Sequence, residues 1–221
     1  MKNDSPHTEL KRRQRAERGS WGEGLNLRVH RALSWLNRAE MCDDEDARFL
    51  FLWVAYNAAY AQTLQGLEQV TEHDKSNRFI EKLIALDTEK KLYQIVWSEF
   101  SSSVRVLLAN PYVFAPFWEF QRGDKTEAEW KAAFTQANNA ATAALGRGET
   151  GTVLSIILSR LYMLRNQLVH GGATWDSEIN RDQLRDGTKF LGVFVPCVLE
   201  VMMNNPNALW GEAVFPVVHP Q

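Results

Sequence analysis

Apolar residues recur along most of the chain at three- and four-residue intervals, the pattern of helices that bury one face. The clearest case runs from 152 to 170, with apolar positions at Val153, Leu154, Ile156, Ile157, Leu161, Leu164 and Leu168. The spacing predicts helices at 25–40, 47–67, 76–86, 89–108, 124–145, 152–170 and 182–203. Strand patterns are nearly absent, so the predicted fold class is all-α, a multi-helix bundle with short connections.

Local signals mark several of the predicted helix ends. Thr126 and Glu129 have the spacing of a capping box, and Gly146 with Gly148 gives a stop at the other end of the same helix. Pro196 is expected to kink the last helix or to mark a local break in it. The aromatic stretch 111–121 is interpreted as a connection packed under the bundle, with a stacking platform for bases as the alternative.

The predicted organisation is a basic polar tail over 1–20, a helical domain over 21–204 and an irregular C-terminal segment over 205–221. The basic cluster of the tail fits either a mobile, solvated segment or a flexible arm that contacts phosphates. Four consecutive acids at 43–46 are interpreted as the start of the next helix, where negative charge complements the helix dipole, and not as a divalent-metal site.

The composition is that of a globular protein, with 45% of the 221 residues hydrophobic and 24% charged. A formal net charge of -2 excludes a global basic field, so nucleic acid would have to be bound through a local patch. Cys42 and Cys197 form no CxxC pair and are interpreted as reduced thiols. We expect no metal and no cofactor. We also expect no membrane partner and a cytoplasmic localisation, because no membrane-length apolar run or secretory signal is visible.

Of the five histidines, only His170 has an arginine five positions before it and a glycine turn directly after it. On an ideal helix Arg165 and His170 are separated by about 140°, whereas Asn166 and His170 are separated by about 40°. Arg165 and His170 can therefore act on one phosphate only if the helix loosens before His170, which Gly171 and Gly172 favour, or if a second chain completes the site. A solvated arginine beside a helix-capping histidine is the alternative interpretation.

The segment Arg165-Asn166-Gln167-Leu168-Val169-His170 resembles the R-x4-6-H signature of HEPN domains, including the polar residue directly after the arginine. Its local form, Leu-Arg-Asn-Gln-Leu-Val-His-Gly-Gly, resembles that of bacterial HEPN proteins of the Apea-like group. The run Phe-Leu-Trp-Val-Ala-Tyr-Asn-Ala-Ala-Tyr at 51–60 resembles a core helix of the same proteins. The resemblance covers about residues 25–203 but is a motif only at 165–172. It implies an all-α, HEPN-like bundle that dimerises and brings two copies of the motif together.

The resemblance further implies a metal-independent endoribonuclease of a defence or toxin-antitoxin kind. Such an enzyme uses the 2′-hydroxyl of RNA as the nucleophile and leaves a 2′,3′-cyclic phosphate and a 5′-hydroxyl. In this chain His170 would move the proton, and Arg165 would bind the phosphate oxygens as charge builds in the transition state. Asn166 would orient His170 or a phosphate oxygen, since the two residues share a helical face.

Other residues near the motif are candidates for RNA contacts. Arg160, Arg181 and Arg185 are predicted to contact the RNA backbone, with ordinary surface charge as the alternative. Trp175 and Tyr162 fit either base stacking or core packing. The implied partners are RNA, a second copy of the chain, and an antitoxin or sensor protein. Because some HEPN proteins have lost activity, the alternative function is a non-catalytic module that dimerises and binds RNA, a nucleotide or a protein.

Overall fold

The computed structural model describes residues 4–61, 71–99, 101–178 and 180–215. Over these ranges the chain is helical and contains no β-strand, which confirms the predicted all-α class. None of the described helices is long and apolar enough to cross a membrane. The chain divides into two compact units, the first from residues 1–88 and 191–221 and the second from residues 89–190.

Ten α-helices follow one another along the described part of the chain. They are α1 (Pro6–Glu17), α2 (Glu23–Glu40), α3 (Glu45–Tyr60), α4 (Glu72–Leu86), α5 (Lys91–Gln94), α6 (Ser101–Ala109), α7 (Ala115–Gln121), α8 (Glu127–Arg147), α9 (Thr150–Val169) and α10 (Arg181–Asn204). A π-helical turn, Ile95–Glu99, lies between α5 and α6, and short 3-10 turns occupy Arg18–Ser20 and Pro111–Val113.

In the first unit, the buried apolar residues come mainly from α2, α3 and the part of α10 after residue 190. Val29 and Leu33 of α2 and Phe49 of α3 are fully buried, as the apolar spacing requires. Asp44 caps α3 by accepting the N–H of Ala47 at 2.8 Å, and two further acids lie in the first turn. The run of acids at 43–46 therefore begins a helix, which confirms that interpretation.

Parts of both terminal segments, within the described residues 4–20 and 205–215, are ordered. Residues 6–17, which the sequence analysis placed in a basic tail, form a helix that buries Leu10 and Gln14. The C-terminal segment is irregular from 205 to 215, but Trp210 is buried in it. The buried Arg28 guanidinium donates to the Trp210 carbonyl, and burial lowers the pKa of Arg28 to about 10. This hydrogen bond thus holds the C-terminal segment against α2.

Several predicted helix boundaries agree with the structure. The capping box of Thr126 and Glu129 is present at the start of α8, and Gly148 ends that helix with a left-handed backbone. The long helix predicted at 89–108 is instead divided by the π-helical turn, and α10 continues through Pro196 without the break that was one expectation. The helix predicted at 47–67 ends at Tyr60, and its last predicted residues lie outside the described ranges. Both cysteines are free of disulfides.

Candidate functional site

The motif lies on the last turns of α9, a helix of the second unit with one buried face. The buried positions follow helical spacing and are Val153, Leu154, Ile157, Leu158, Leu161 and Leu164. Away from this face Tyr162 and Val169 are 41% and 50% exposed, His170 is exposed, and Arg165 and Asn166 are half-buried. The apolar face therefore leaves His170 in solvent and Arg165 and Asn166 partly accessible.

The end of α9 is a Schellman turn built on Gly171. His170 is the last residue with a helical hydrogen bond, donating its N–H to the Asn166 carbonyl at 3.0 Å. Gly171 has a φ of +69°, and Gly172 donates its N–H to the Gln167 carbonyl at 2.7 Å. The glycines thus end the helix after His170 and do not loosen it before His170. Arg165 and His170 keep the separation of about 140° that a regular helix imposes.

Arg165 and Asn166 interact with each other and are both half-buried. The Arg165 guanidinium donates from Nη1 to Oδ1 of Asn166 at 2.9 Å, and its central carbon lies 5.9 Å from the centre of the Tyr162 ring. No carboxylate among the described residues pairs with Arg165. The exposed His170 imidazole likewise has no bonded side chain in the described part of the chain. A guanidinium, an amide and an imidazole are therefore accessible to a ligand.

Gln167 has a positioning role that the sequence analysis did not assign. Its Nε2 donates to the Tyr112 carbonyl at 2.6 Å, and its Oε1 accepts from Asn180 Nδ2 at 3.0 Å. The same Tyr112 carbonyl accepts the indole N–H of Trp118 at 2.7 Å. Gln167 therefore ties the end of α9 to the aromatic segment and to the loop that precedes α10. Its partners are distant in sequence, so only its place inside the motif could have drawn attention to it.

Arg160, one of the predicted phosphate contacts, lies in the core of the second unit. Only 4% of the residue is exposed, and its guanidinium carbon lies 4.3 Å from the Phe114 ring centre and 5.7 Å from that of Phe134. Burial lowers the pKa of Arg160 to about 10. These ring contacts are cation–π interactions. Arg160 does not present its charge at the surface, where a phosphate could reach it.

The other two predicted phosphate contacts are at the surface but already have acidic neighbours. Nη2 of Arg181 lies 3.6 Å from Oδ1 of Asp176, and Nη1 of Arg185 lies 3.0 Å from Oδ1 of Asp182. Between residues 165 and 190 four basic and four acidic residues balance one another. The neighbourhood of the motif thus has no excess of positive charge. Trp175, a candidate for base stacking, is 75% exposed.

No protein-family model matches this chain, and comparison with curated proteins and with solved structures gives no match. What the site can do is therefore argued from its own groups. Arg165 supplies a guanidinium, His170 supplies an imidazole, and Asn166 lies on the same helical face as His170. These are the groups that proton transfer at a phosphate requires.

Proposed function

We propose that this protein is a metal-independent endoribonuclease of HEPN type, in which Arg165 and His170 act on the scissile phosphate. One observation carries the proposal: the half-buried Arg165 and the exposed His170 lie at the end of α9 without a carboxylate partner among the described residues. Four other arginines of the same unit, Arg122, Arg147, Arg181 and Arg185, do have carboxylate partners. Arg147 lies 2.5 Å from Glu149, for example.

The proposed reaction is transfer of the phosphoryl group to the neighbouring 2′-oxygen. The 2′-hydroxyl attacks phosphorus and loses its proton to an imidazole, while the bond from phosphorus to the 5′-oxygen breaks. The departing oxygen takes a proton from water, leaving a 2′,3′-cyclic phosphate and a 5′-hydroxyl. The Arg165 guanidinium binds the non-bridging oxygens, whose charge grows in the transition state.

The proposal includes a homodimer, for two physical reasons. The regular helix holds Arg165 and His170 of one chain on different sides, so a second copy is needed to bring an arginine and a histidine to one phosphate. Tyr162 and Val169, exposed on the motif side of α9, are apolar surface that a partner copy can cover. Because unrestrained RNA cleavage harms the cell, we include control by an antitoxin or sensor protein.

The test is RNA cleavage in the presence of EDTA by the purified full chain. We expect the parent to cut RNA and to leave 5′-hydroxyl ends, which polynucleotide kinase labels without prior phosphatase treatment. Arg165→Ala and His170→Ala should each lower the rate by about 100-fold or more, the usual range for general acid–base groups. Arg122→Ala and His73→Ala, at exposed positions outside the motif, are the matched controls.

The proposal fails if the parent cuts no RNA over a range of pH and salt, or if the two motif variants cut as fast as the two controls. A substrate with 2′-deoxyribose at every position adds a second check. It should remain intact, because the nucleophile is missing. Cleavage of this DNA would contradict the 2′-hydroxyl mechanism directly.

A second candidate function is a non-catalytic module that dimerises and binds RNA. The balance of four basic and four acidic residues between 165 and 190 favours it, because a strong RNA-binding surface normally carries excess positive charge. The same preparations distinguish the two functions. Retention of RNA without new ends, with an affinity that falls as salt rises, supports the module.

A further inference from the structure

An open cavity of about 570 Å³ lies in the second unit, away from the motif. It is lined by the π-helical turn and by residues of α6 and α8. Its volume is within the range of small-molecule sites, about 300–1,000 Å³. None of its lining residues belongs to the 165–172 segment, so the site is independent of the proposed ribonuclease activity.

The π-helical turn places Trp97 at this cavity. Single π turns are rare and are found disproportionately at functional sites. The indole N–H of Trp97 donates to Oγ1 of Thr150 at 3.2 Å, and the Tyr93 ring packs with its centre 5.8 Å away. The tryptophan is therefore held in place, and because its N–H is occupied it can offer a ligand only apolar ring surface.

Asn138 contributes an acceptor that lacks a donor. Its Oδ1 is buried and has no hydrogen-bond partner in the described part of the chain. Leaving a buried carbonyl oxygen unpaired costs free energy, which a ligand N–H would recover. Thr142, one helical turn later on α8, also lines the cavity and adds a hydroxyl. This wall of the cavity is thus suited to a ligand that carries an N–H group.

Arg105 supplies the charge of the site. It is exposed on α6, lines the cavity, and makes no ion pair or hydrogen bond within the described residues. A guanidinium binds a phosphate or a carboxylate through two parallel hydrogen bonds. The remaining lining residues include Leu108 and Leu145, which give the cavity an apolar surface.

We propose that this cavity binds a small planar aromatic anion that bears an N–H donor. The aromatic ring packs against Trp97, the N–H group donates to Asn138 Oδ1, and the anionic group pairs with Arg105. A nucleotide and an indole carboxylate share this chemistry, and they differ in the anion and in size. Adenosine 5′-monophosphate and indole-3-acetate are therefore the two probes.

Binding of each probe to the full chain is measured by isothermal titration calorimetry. Arg105→Ala should weaken binding by about tenfold or more, because it removes a charge-assisted pair. Gly146→Leu should abolish binding. Gly146 lines the cavity within α8, and a Cβ added there meets no atom within 4 Å, so the larger side chain enters open space without a clash. Leucine is also the better helix former, so the fold is retained.

Arg122→Ala, which removes an exposed arginine that does not line the cavity, should leave binding unchanged. Binding of one probe alone identifies the anionic group that the cavity accepts. That group is a phosphate ester if only adenosine 5′-monophosphate binds, and a carboxylate if only indole-3-acetate binds. Purine riboside 5′-monophosphate lacks the amino group and should bind more weakly than adenosine 5′-monophosphate. The proposal is overturned if neither probe binds, or if Arg105→Ala and Gly146→Leu bind like the parent. The RNA cleavage result does not enter this test.

Discussion

The turn that carries His170 depends on the backbone of one residue, Gly171. Its φ of +69° lies in the left-handed region, which residues with a Cβ rarely adopt. Gly172, which follows, is constrained in a different way, since a Cβ there would lie 3.3 Å from the Gln167 carbonyl oxygen. The two glycines therefore have different roles. Gly171 reverses the direction of the chain, and Gly172 allows the backbone to pass close to α9.

We predict that Gly171→Ala lowers the free energy of unfolding by about 1–2 kcal/mol, the usual cost of left-handed backbone for a residue with a Cβ. The added Cβ meets no atom within 4 Å, so the cost is conformational and not steric. Gly146→Ala, in the ordinary helical backbone of α8, should instead raise the free energy of unfolding by up to about 1 kcal/mol. Urea denaturation of the three proteins measures both changes. Equal shifts in the same direction would contradict the argument.

Single residues were predictable where their partners are close in sequence. The capping box of Thr126 and Glu129 connects residues three positions apart, and Asp44 caps α3 in the same way. Arg160 and Gln167 were not predictable, because Phe114 and Tyr112 approach them only after the helices pack. The exposed setting of His170 could be predicted, since it follows from the apolar face of α9 alone.

Among the helices, the predicted segment 89–108 differs most from the structure, and the reason can be seen in the buried positions. Leu92 is buried before the π-helical turn, Val96 is buried within it, and Val104 and Leu108 are buried after it. On a continuous α-helix, Val96 and Val104 would point about 80° apart. A π turn takes up an additional residue and brings both onto one face. Spacing alone did not reveal this, because each half fits a helix.

The contact of α1 with α2 was not predicted either, because the sequence of residues 1–20 is polar and basic and was interpreted as a tail. It places His30 Nδ1 3.3 Å from the ammonium of Lys11. Burial lowers the pKa of His30, and the cations Lys11, Arg18 and Arg31 lower it further. The pKa of His7 is lowered first by burial, and then by Lys11 and Arg15 against the opposing effect of Glu40. Folding therefore favours the neutral form of both imidazoles.

This arrangement predicts a loss of stability in mild acid. Because the folded-state pKa of each histidine is below the unfolded value of 6.5, the unfolded chain binds more protons as the pH falls through and below 6.5. The melting temperature of the parent should fall between pH 7.5 and pH 5.5. His7→Gln with His30→Gln should reduce that fall, whereas His73→Gln, exposed on α4, should not. If the melting temperature of the double variant depends on pH as that of the parent does, the prediction is contradicted.

For the whole molecule, the all-α class follows from apolar spacing that repeats along nearly the entire chain. The division into two units does not follow from it, because it depends on which helices pack together over long sequence distances. The unit boundaries fall after Thr88 and within α10, places where the sequence shows no linker. The candidate site was located by a motif within one helix. That helix does not bring Arg165 and His170 together, so the residue that completes each site must come from elsewhere.

A regular α9 leaves Arg165 and His170 on different sides, so the proposed active site is shared between two chains. Each dimer then has two sites, and each site takes its arginine from one chain and its histidine from the other. A dimer of one Arg165→Ala chain and one His170→Ala chain contains one site that lacks both residues and one site that lacks neither. Two inactive variants should therefore restore activity when they are combined.

The measurement is RNA cleavage in EDTA after the two variants are unfolded together and refolded in equal amounts. About half of the dimers are then mixed and each has one intact site, so the rate should reach about a quarter of the parent rate. Refolding Arg165→Ala with a chain that carries both substitutions is the control, because no intact site can form in that mixture. If the first mixture stays at the level of its single variants, the arginine and the histidine of one site come from the same chain. The helix would then have to open before His170 when RNA binds.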